Sequence, residues 1–175
     1  DGAIHTIAFS GGEVIEPVER KGKCEKSDTG TRVRAWPDSS FFDNGTVPLK
    51  DLRDLVRSKA TLLKGVEFVF CREITPGAFD EQSFLYENGI TQYLKEQLEG
   101  SESDIFFSGE KFSPETQESI AKGEGAEYAI CFSEAGSKVR ASYVNLIPTT
   151  LGGTHDAGLR DGIFTAVRNF IDANN

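Results

Sequence analysis

Chemistry in this chain would have to gather where residues of different kinds fall close together. One stretch does so: Gly152-Gly153-Thr154-His155-Asp156, with Arg160 four residues on. A histidine beside a carboxylate can move a proton near neutral pH. An arginine just past a glycine-rich bend can take an anion. Each has an ordinary counterpart. His155 can fix a helix start by hydrogen bonding, and the residues alone favour that role. Arg160 follows Asp156 in the order that suits a surface ion pair on a helix, and the residues alone favour that pair too. Elsewhere the candidates thin out. The only other histidine is His5, and Cys24, Cys71 and Cys131 follow no metal-ligand spacing. No phosphate-binding GxxxxGK[ST] loop, GxGxxG, HExxH or nucleophile elbow is present. Neither a catalytic residue nor a metal ligand is assigned.

The elements that must position this stretch can be read from periodicity. Tyr143 to Pro148 reads as the end of a strand, Gly152-Gly153 as a tight turn, and Thr154 as the N-cap of a helix. Leu159, Ile163, Ala166, Val167 and Phe170 recur at helical spacing, which predicts one buried stripe on a helix from about 154 to 172. Upstream, residues 3–9 and 13–15 read as a hairpin around Ser10-Gly11-Gly12. The stretch from 19 to 28 reads as a polar connection. Thr31, Val33 and Ala35 alternate with Arg32 and Arg34, which predicts a strand ended by Pro37. Pro48 suits the first position of a helix that Gly65 stops. Residues 66–70 and 83–86 read as strands about a Pro76-Gly77 turn, and a second helix carries Ile90, Tyr93, Leu94 and Leu98. Residues 105–107 read as a short strand and 113–125 as a surface loop. Residues 127–132 and 138–147 read as two strands joined at Ala135-Gly136. This order predicts an α+β fold, a sheet with helices on one face.

Composition sets the outer bounds. The chain has 175 residues, 38% of them hydrophobic and 13 of them Phe, enough for a core. Its formal net charge of -9 argues against a free-standing, non-specific DNA-binding module, yet allows a local basic patch within a larger assembly. The scattered cysteines fit a reducing cytoplasm. No apolar run is long enough to cross a bilayer, and no membrane partner is expected. Methionine is absent and strand-like sequence begins at once, so a fragment of a longer protein is expected.

Four stretches together resemble the B subunits of bacterial type IIA topoisomerases. Thr29-Gly30-Thr31-Arg32-Val33-Arg34-Ala35-Trp36-Pro37-Asp38 resembles the family's GT-x-V-x-F-x-P-D strand, with Ala35 departing from the usual aromatic. Lys59-Ala60-Thr61-Leu62-Leu63-Lys64-Gly65-Val66 is closer to the topoisomerase IV form than to the gyrase form. Tyr86-Glu87-Asn88-Gly89-Ile90 resembles the family's Y-x-x-G-I/L step into a helix. Tyr143 to Arg160 resembles Y-V-N-L-I-P-T-x-x-G-G-T-H-x-x-G-L-R. The matches keep the family's order and touch most of the chain except the region 101–125.

The resemblance implies that residues 1–45 are the last strands of a GHKL-type ATPase domain. It implies that residues 46–175 are a transducer domain of the ribosomal S5 domain 2-like fold, without its C-terminal end. Thr31 and Val33 would line the adenine pocket, Arg160 would face a cavity that holds double-stranded DNA, and Gly152, Gly153, Thr154 and His155 would shape the coupling turn. ATP and Mg2+ would serve the full-length protein, with none bound and none hydrolysed by this piece alone. The implied partners are DNA, the topoisomerase IV A subunit in a heterotetramer, and a second copy on ATP binding. The implied setting is the bacterial cytoplasm, at the nucleoid. A gyrase B transducer and a non-enzymatic S5-like interaction module are the alternatives.

Overall fold

The computed structural model describes residues 2–42, 46–98, 105–113, 124–132 and 139–174. The chain divides into two compact units, Asp1–Val47 and Pro48–Asn175.

The first unit is built on one antiparallel hairpin, β1 (Ala3–Ser10) and β2 (Glu13–Lys23), turning through Gly11 and Gly12. The second strand runs well past Ile15, through sequence whose polarity reads as a connection. Such a strand tolerates polar residues because both faces of a two-stranded ribbon meet water. Pro17 lies where the ladder slips, between the Ala8–Glu16 and Thr6–Glu19 pairs. A proline has no N–H to donate, so a slip in register is where a strand can hold one. The strand expected over Thr31 to Trp36 does not form: residues 28–37 have no regular structure. Alternation prepares a face, but a strand exists only with a ladder partner. The one sheet described in this unit is β1–β2.

The second unit is α+β. Helix α1 (Leu49–Leu62) has Pro48 at its cap rather than in its first turn, the Pro48 carbonyl accepting from Leu52 N–H at 3.0 Å. Strands β3 (Phe68–Thr75) and β4 (Ala78–Phe84) pair around Pro76-Gly77. Helix α2 (Gly89–Gln97) packs against α1. The approach is close at Gly89, where φ is 54° and a Cβ would meet Lys64 Cγ at 2.9 Å and the Thr61 carbonyl at 3.2 Å. Ala60, Phe84 and Tyr86 form the buried nucleus, with Val56, Phe68, Phe70 and Tyr93 against it. Arg57 reinforces it from the side: its Nε donates to the Tyr86 hydroxyl at 2.7 Å and its Nη2 reaches Glu96 at 3.3 Å. Burial pushes the Tyr86 phenol above its ordinary pKa, partly offset by the Arg57 bond.

Four expectations are corrected here. Strand β6 (Gly125–Phe132) pairs with β5 (Ile105–Phe112), in unbroken register from Ile105–Phe132 to Phe112–Gly125, and not with residues 138–147. The short strand expected at 105–107 is thus a full eight-residue strand. The expected Ala135-Gly136 junction lies outside the described residues. Residues 139–148 are not one strand; β7 (Tyr143–Val144) and β8 (Ile147–Pro148) fold on each other as a miniature hairpin. Asn145 and Leu146 both have positive φ, 47° and 68°, the pattern of a type I′ turn. Finally, among the described residues the strands make four two-stranded sheets rather than a single one.

The last element is α3 (Thr154–Asn174), 21 residues with none buried. The stripe expected to be buried is open: Val167 is 44% and Phe170 68% exposed. Its spacing is helical, as expected, but a stripe is buried only where another element covers it.

Candidate functional site

The residues singled out by type meet at the junction between β8 and α3. The chain leaves β8 at Pro148 and turns through Thr149-Thr150-Leu151-Gly152, closed by Gly152 N–H donating to the Thr149 carbonyl at 2.9 Å. Gly152 has φ 78°, a conformation costly for any residue with a Cβ. A Cβ there would also stand 3.4 Å from Asp156 Oδ2. Gly153 follows for a different reason: the His155 ring occupies the space a side chain would need, 2.7 Å from where a Cβ would stand. Helix α3 starts at Thr154, as expected, but the cap differs from expectation. The Gly153 carbonyl accepts from Ala157 N–H at 3.0 Å, so Gly153 holds the cap position and Thr154 opens the first turn.

His155 folds back over this turn. Its Nε2 lies 2.7 Å from Ser142 Oγ and 3.3 Å from Thr149 Oγ1, and the two hydroxyls bond each other. Ser142 and Thr149 are also joined by Thr149 N–H donating to the Ser142 carbonyl at 2.8 Å. His155 therefore knots the two sides of the β7–β8 hairpin to the helix start. The carboxylate next to it in sequence points elsewhere. A proton-transfer pair of His155 and Asp156 is not assembled, and the fastening role favoured by the residues alone matches this geometry.

Asp156 makes its close contact with Arg140, a residue that local spacing does not single out. Arg140 Nη2 donates to Asp156 Oδ2 at 2.7 Å, whereas Arg160 Nε stands 4.0 Å from the same oxygen. The Asp156–Arg160 surface pair is thus a loose contact, and the Arg160 side chain is 64% exposed. No cue at helical spacing could have pointed to Arg140. It reaches Asp156 because the β7–β8 hairpin and the Gly152 turn bring the two together across 16 residues of sequence.

A second tie fixes the hairpin from below. Lys59 of α1 donates its ammonium to the Leu146 carbonyl, at the tip of the type I′ turn. A cavity of about 550 Å3 opens alongside, lined by Asp54, Arg57 and Ser58 of α1, Tyr93 of α2, and Tyr143 and Pro148 of the hairpin. Burial pushes the Tyr143 phenol above its ordinary pKa. It stays neutral at physiological pH and is no general base there.

The remaining sequence-selected residues belong to the first unit. Thr31 and Val33 are exposed in the irregular stretch of the first unit, Val33 at 84%. His5 sits on β1. Among the described residues no three His, Cys, Asp or Glu side chains gather as a metal site, and no helix is long and apolar enough to cross a membrane.

Comparison with known proteins adds an independent line. The DNA gyrase B family model matches residues 89–175. The B subunit of DNA topoisomerase 4 from Salmonella typhimurium is 38% identical over 178 residues, spanning 100% of this chain and 26% of that protein. The B subunit of DNA gyrase from Campylobacter jejuni is 31% identical over 176 residues, spanning 99% of this chain and 21% of that protein. The chain thus spans about a quarter of the curated relatives it matches. Among solved structures, the topoisomerase IV ATP binding domain of Francisella tularensis superposes with a TM-score of 0.69 at 30% identity. That superposition covers 100% of this chain and 44% of the other. The 43K ATPase domain of Thermus thermophilus gyrase B gives 0.63 at 30% identity, covering 89% and 40%.

Proposed function

From a chain that belongs to the gyrase B and topoisomerase IV family, as one segment of such a protein, we propose a role as the transducer of an ATP-dependent type II topoisomerase. Residues 46–175 then form the S5 domain 2-like transducer, and residues 1–45 the end of the GHKL ATPase domain. The change of compact unit between Val47 and Pro48 supports that division. In the complete protein, ATP with Mg2+ drives self-dimerisation around a duplex. The transducer carries the nucleotide state to the DNA-cleaving A subunit, in the bacterial cytoplasm. The reaction class is strand passage, with decatenation and relaxation as its outcome. The 38% identity to the Salmonella typhimurium topoisomerase IV subunit, against 31% to the Campylobacter jejuni gyrase subunit, supports that choice over supercoiling by a gyrase.

Within this reading Thr31 and Val33 belong to the wall of the adenine pocket. Gly152, Gly153, Thr154 and His155 form the turn that sets the direction of α3, and Arg160 faces DNA. The observation that carries the reading is the state of Arg160. Its helix neighbour Asp156 makes its close contact with Arg140 at 2.7 Å, so Arg160 keeps only the loose 4.0 Å contact with that carboxylate and stands 64% exposed. A cation in that state suits a backbone phosphate. Arg160→Gln in the complete enzyme should leave folding intact and uncouple ATP turnover from strand passage. Decatenation assays run beside ATPase assays test this, and wild-type decatenation per ATP would return Arg160 to a surface role.

A further inference from the structure

Arg140 plays no part in that reading, yet it makes a close ion pair at the junction. One carboxylate, Asp156, faces two guanidinium groups, at 2.7 and 4.0 Å. Within this trio two positive charges stand against one negative, in a chain whose net charge is -9. The two arginine side chains are 57% and 64% exposed, and that of Asp156 only 17%. The cations therefore face outward while the carboxylate sits beneath them. Beside Arg140 opens a hollow of about 270 Å3, walled by Ser142, Thr149, Thr150 and Gly152. The Ser142 and Thr149 hydroxyls are engaged with each other and with His155, so the Arg140 guanidinium, beside a wall with no side chain at Gly152, is the donor suited to the oxygens of a phosphodiester.

We propose that Arg140 is a second DNA-backbone contact beside Arg160, and that Asp156 is its internal competitor. The proposal rests on the reading of α3 as facing duplex DNA. A carboxylate and a phosphate both accept N–H bonds from a guanidinium, so Arg140 can pass from one to the other without leaving its donors unpaired. Without DNA, Asp156 holds the Arg140 side chain in place at the mouth of the hollow. With DNA, a phosphate takes the guanidinium and the carboxylate opposes the phosphate's approach. Asp156 thus keeps binding weak enough for a transported duplex to leave.

Equilibrium binding of the complete protein to a linear duplex, measured across a salt series, tests this. Arg140→Gln should weaken binding severalfold at low salt and lower the slope of log K against log salt by about one. Arg140→Lys should keep the slope, and Asp156→Asn should tighten binding severalfold. Wild-type binding by Arg140→Gln together with weakened binding by Arg160→Gln would overturn the role of Arg140 and leave the DNA reading of α3 standing. Wild-type binding by both variants would overturn the two together. Unchanged affinity in Asp156→Asn would overturn the competitor role even if Arg140→Gln misfolds. Inorganic phosphate at constant ionic strength should not displace the Arg140-dependent part of binding; displacement at low millimolar phosphate would reassign the hollow to a small anion.

Discussion

Around Ala60 and Tyr86 the second unit is held by packing, whereas at the start of α3 the contacts are polar and mostly open to water. The first region closes apolar surface from two helices and a hairpin over a small nucleus. The second joins a hairpin and a helix through Ser142, Thr149, His155, Asp156 and Arg140. Packing is non-directional and gains from every contact made, so it suits a part that must stay in one arrangement. Exposed ion pairs and hydroxyl bonds are individually weak and directional, so they can hold one geometry and yield to another. The difference separates a fixed base from an adjustable joint.

Mutations can sharpen or break this contrast. Phe84→Ala should have the largest effect, a loss of about 3–5 kcal/mol, because it empties the nucleus; thermal or urea unfolding of the chain measures it. Gly152→Ala should cost about 1–2 kcal/mol through its left-handed backbone. It should also alter the α3 amide signals in NMR spectra more than those of α1. Equal disturbance of both helices would erase the distinction between base and joint. Lys64, where α1 ends, gives a pH test. The hydrogen bond to Glu127 on β6, with help from Glu110 on β5 and against a desolvation penalty, raises the Lys64 pKa. A raised value means that the folded state holds this proton more tightly, so the contribution is complete below about pH 10 and fades as pH rises through the folded value. Melting temperatures from pH 8 to 12 should therefore fall less steeply in Lys64→Met than in the parent chain. Phe170→Ser, on the open stripe of α3, should change stability of this chain by no more than about 0.5 kcal/mol. A loss as large as that of Phe84→Ala would mean that the stripe is covered in solution.

Local chemistry made much of this legible. The two main helices, the Gly11-Gly12 and Pro76-Gly77 hairpins and the glycine turn before α3 each follow from residues within one or two turns of one another. Long-range pairing was not legible. Nothing in 105–112 names 125–132 as its partner, and the alternation at Thr31, Val33 and Ala35 prepared a strand that no ladder completes. The same divide runs through the junction. An Asp156–Arg160 pair follows from helical spacing, but Arg140 wins the carboxylate because the backbone folds back between them. The composition of the α3 stripe announced a helix and could not announce what covers it.

The helix that leaves the joint has 21 residues, a span of about 30 Å at 1.5 Å per residue. Hinged at one end, such a rod multiplies angle into distance. A rotation of about 10° at Gly152 would sweep Asn174 through an arc of about 5 Å, roughly one turn of helix. Small adjustments among Arg140, Asp156 and His155 are thereby magnified at the far tip, as a short pull near a pivot swings a long pointer.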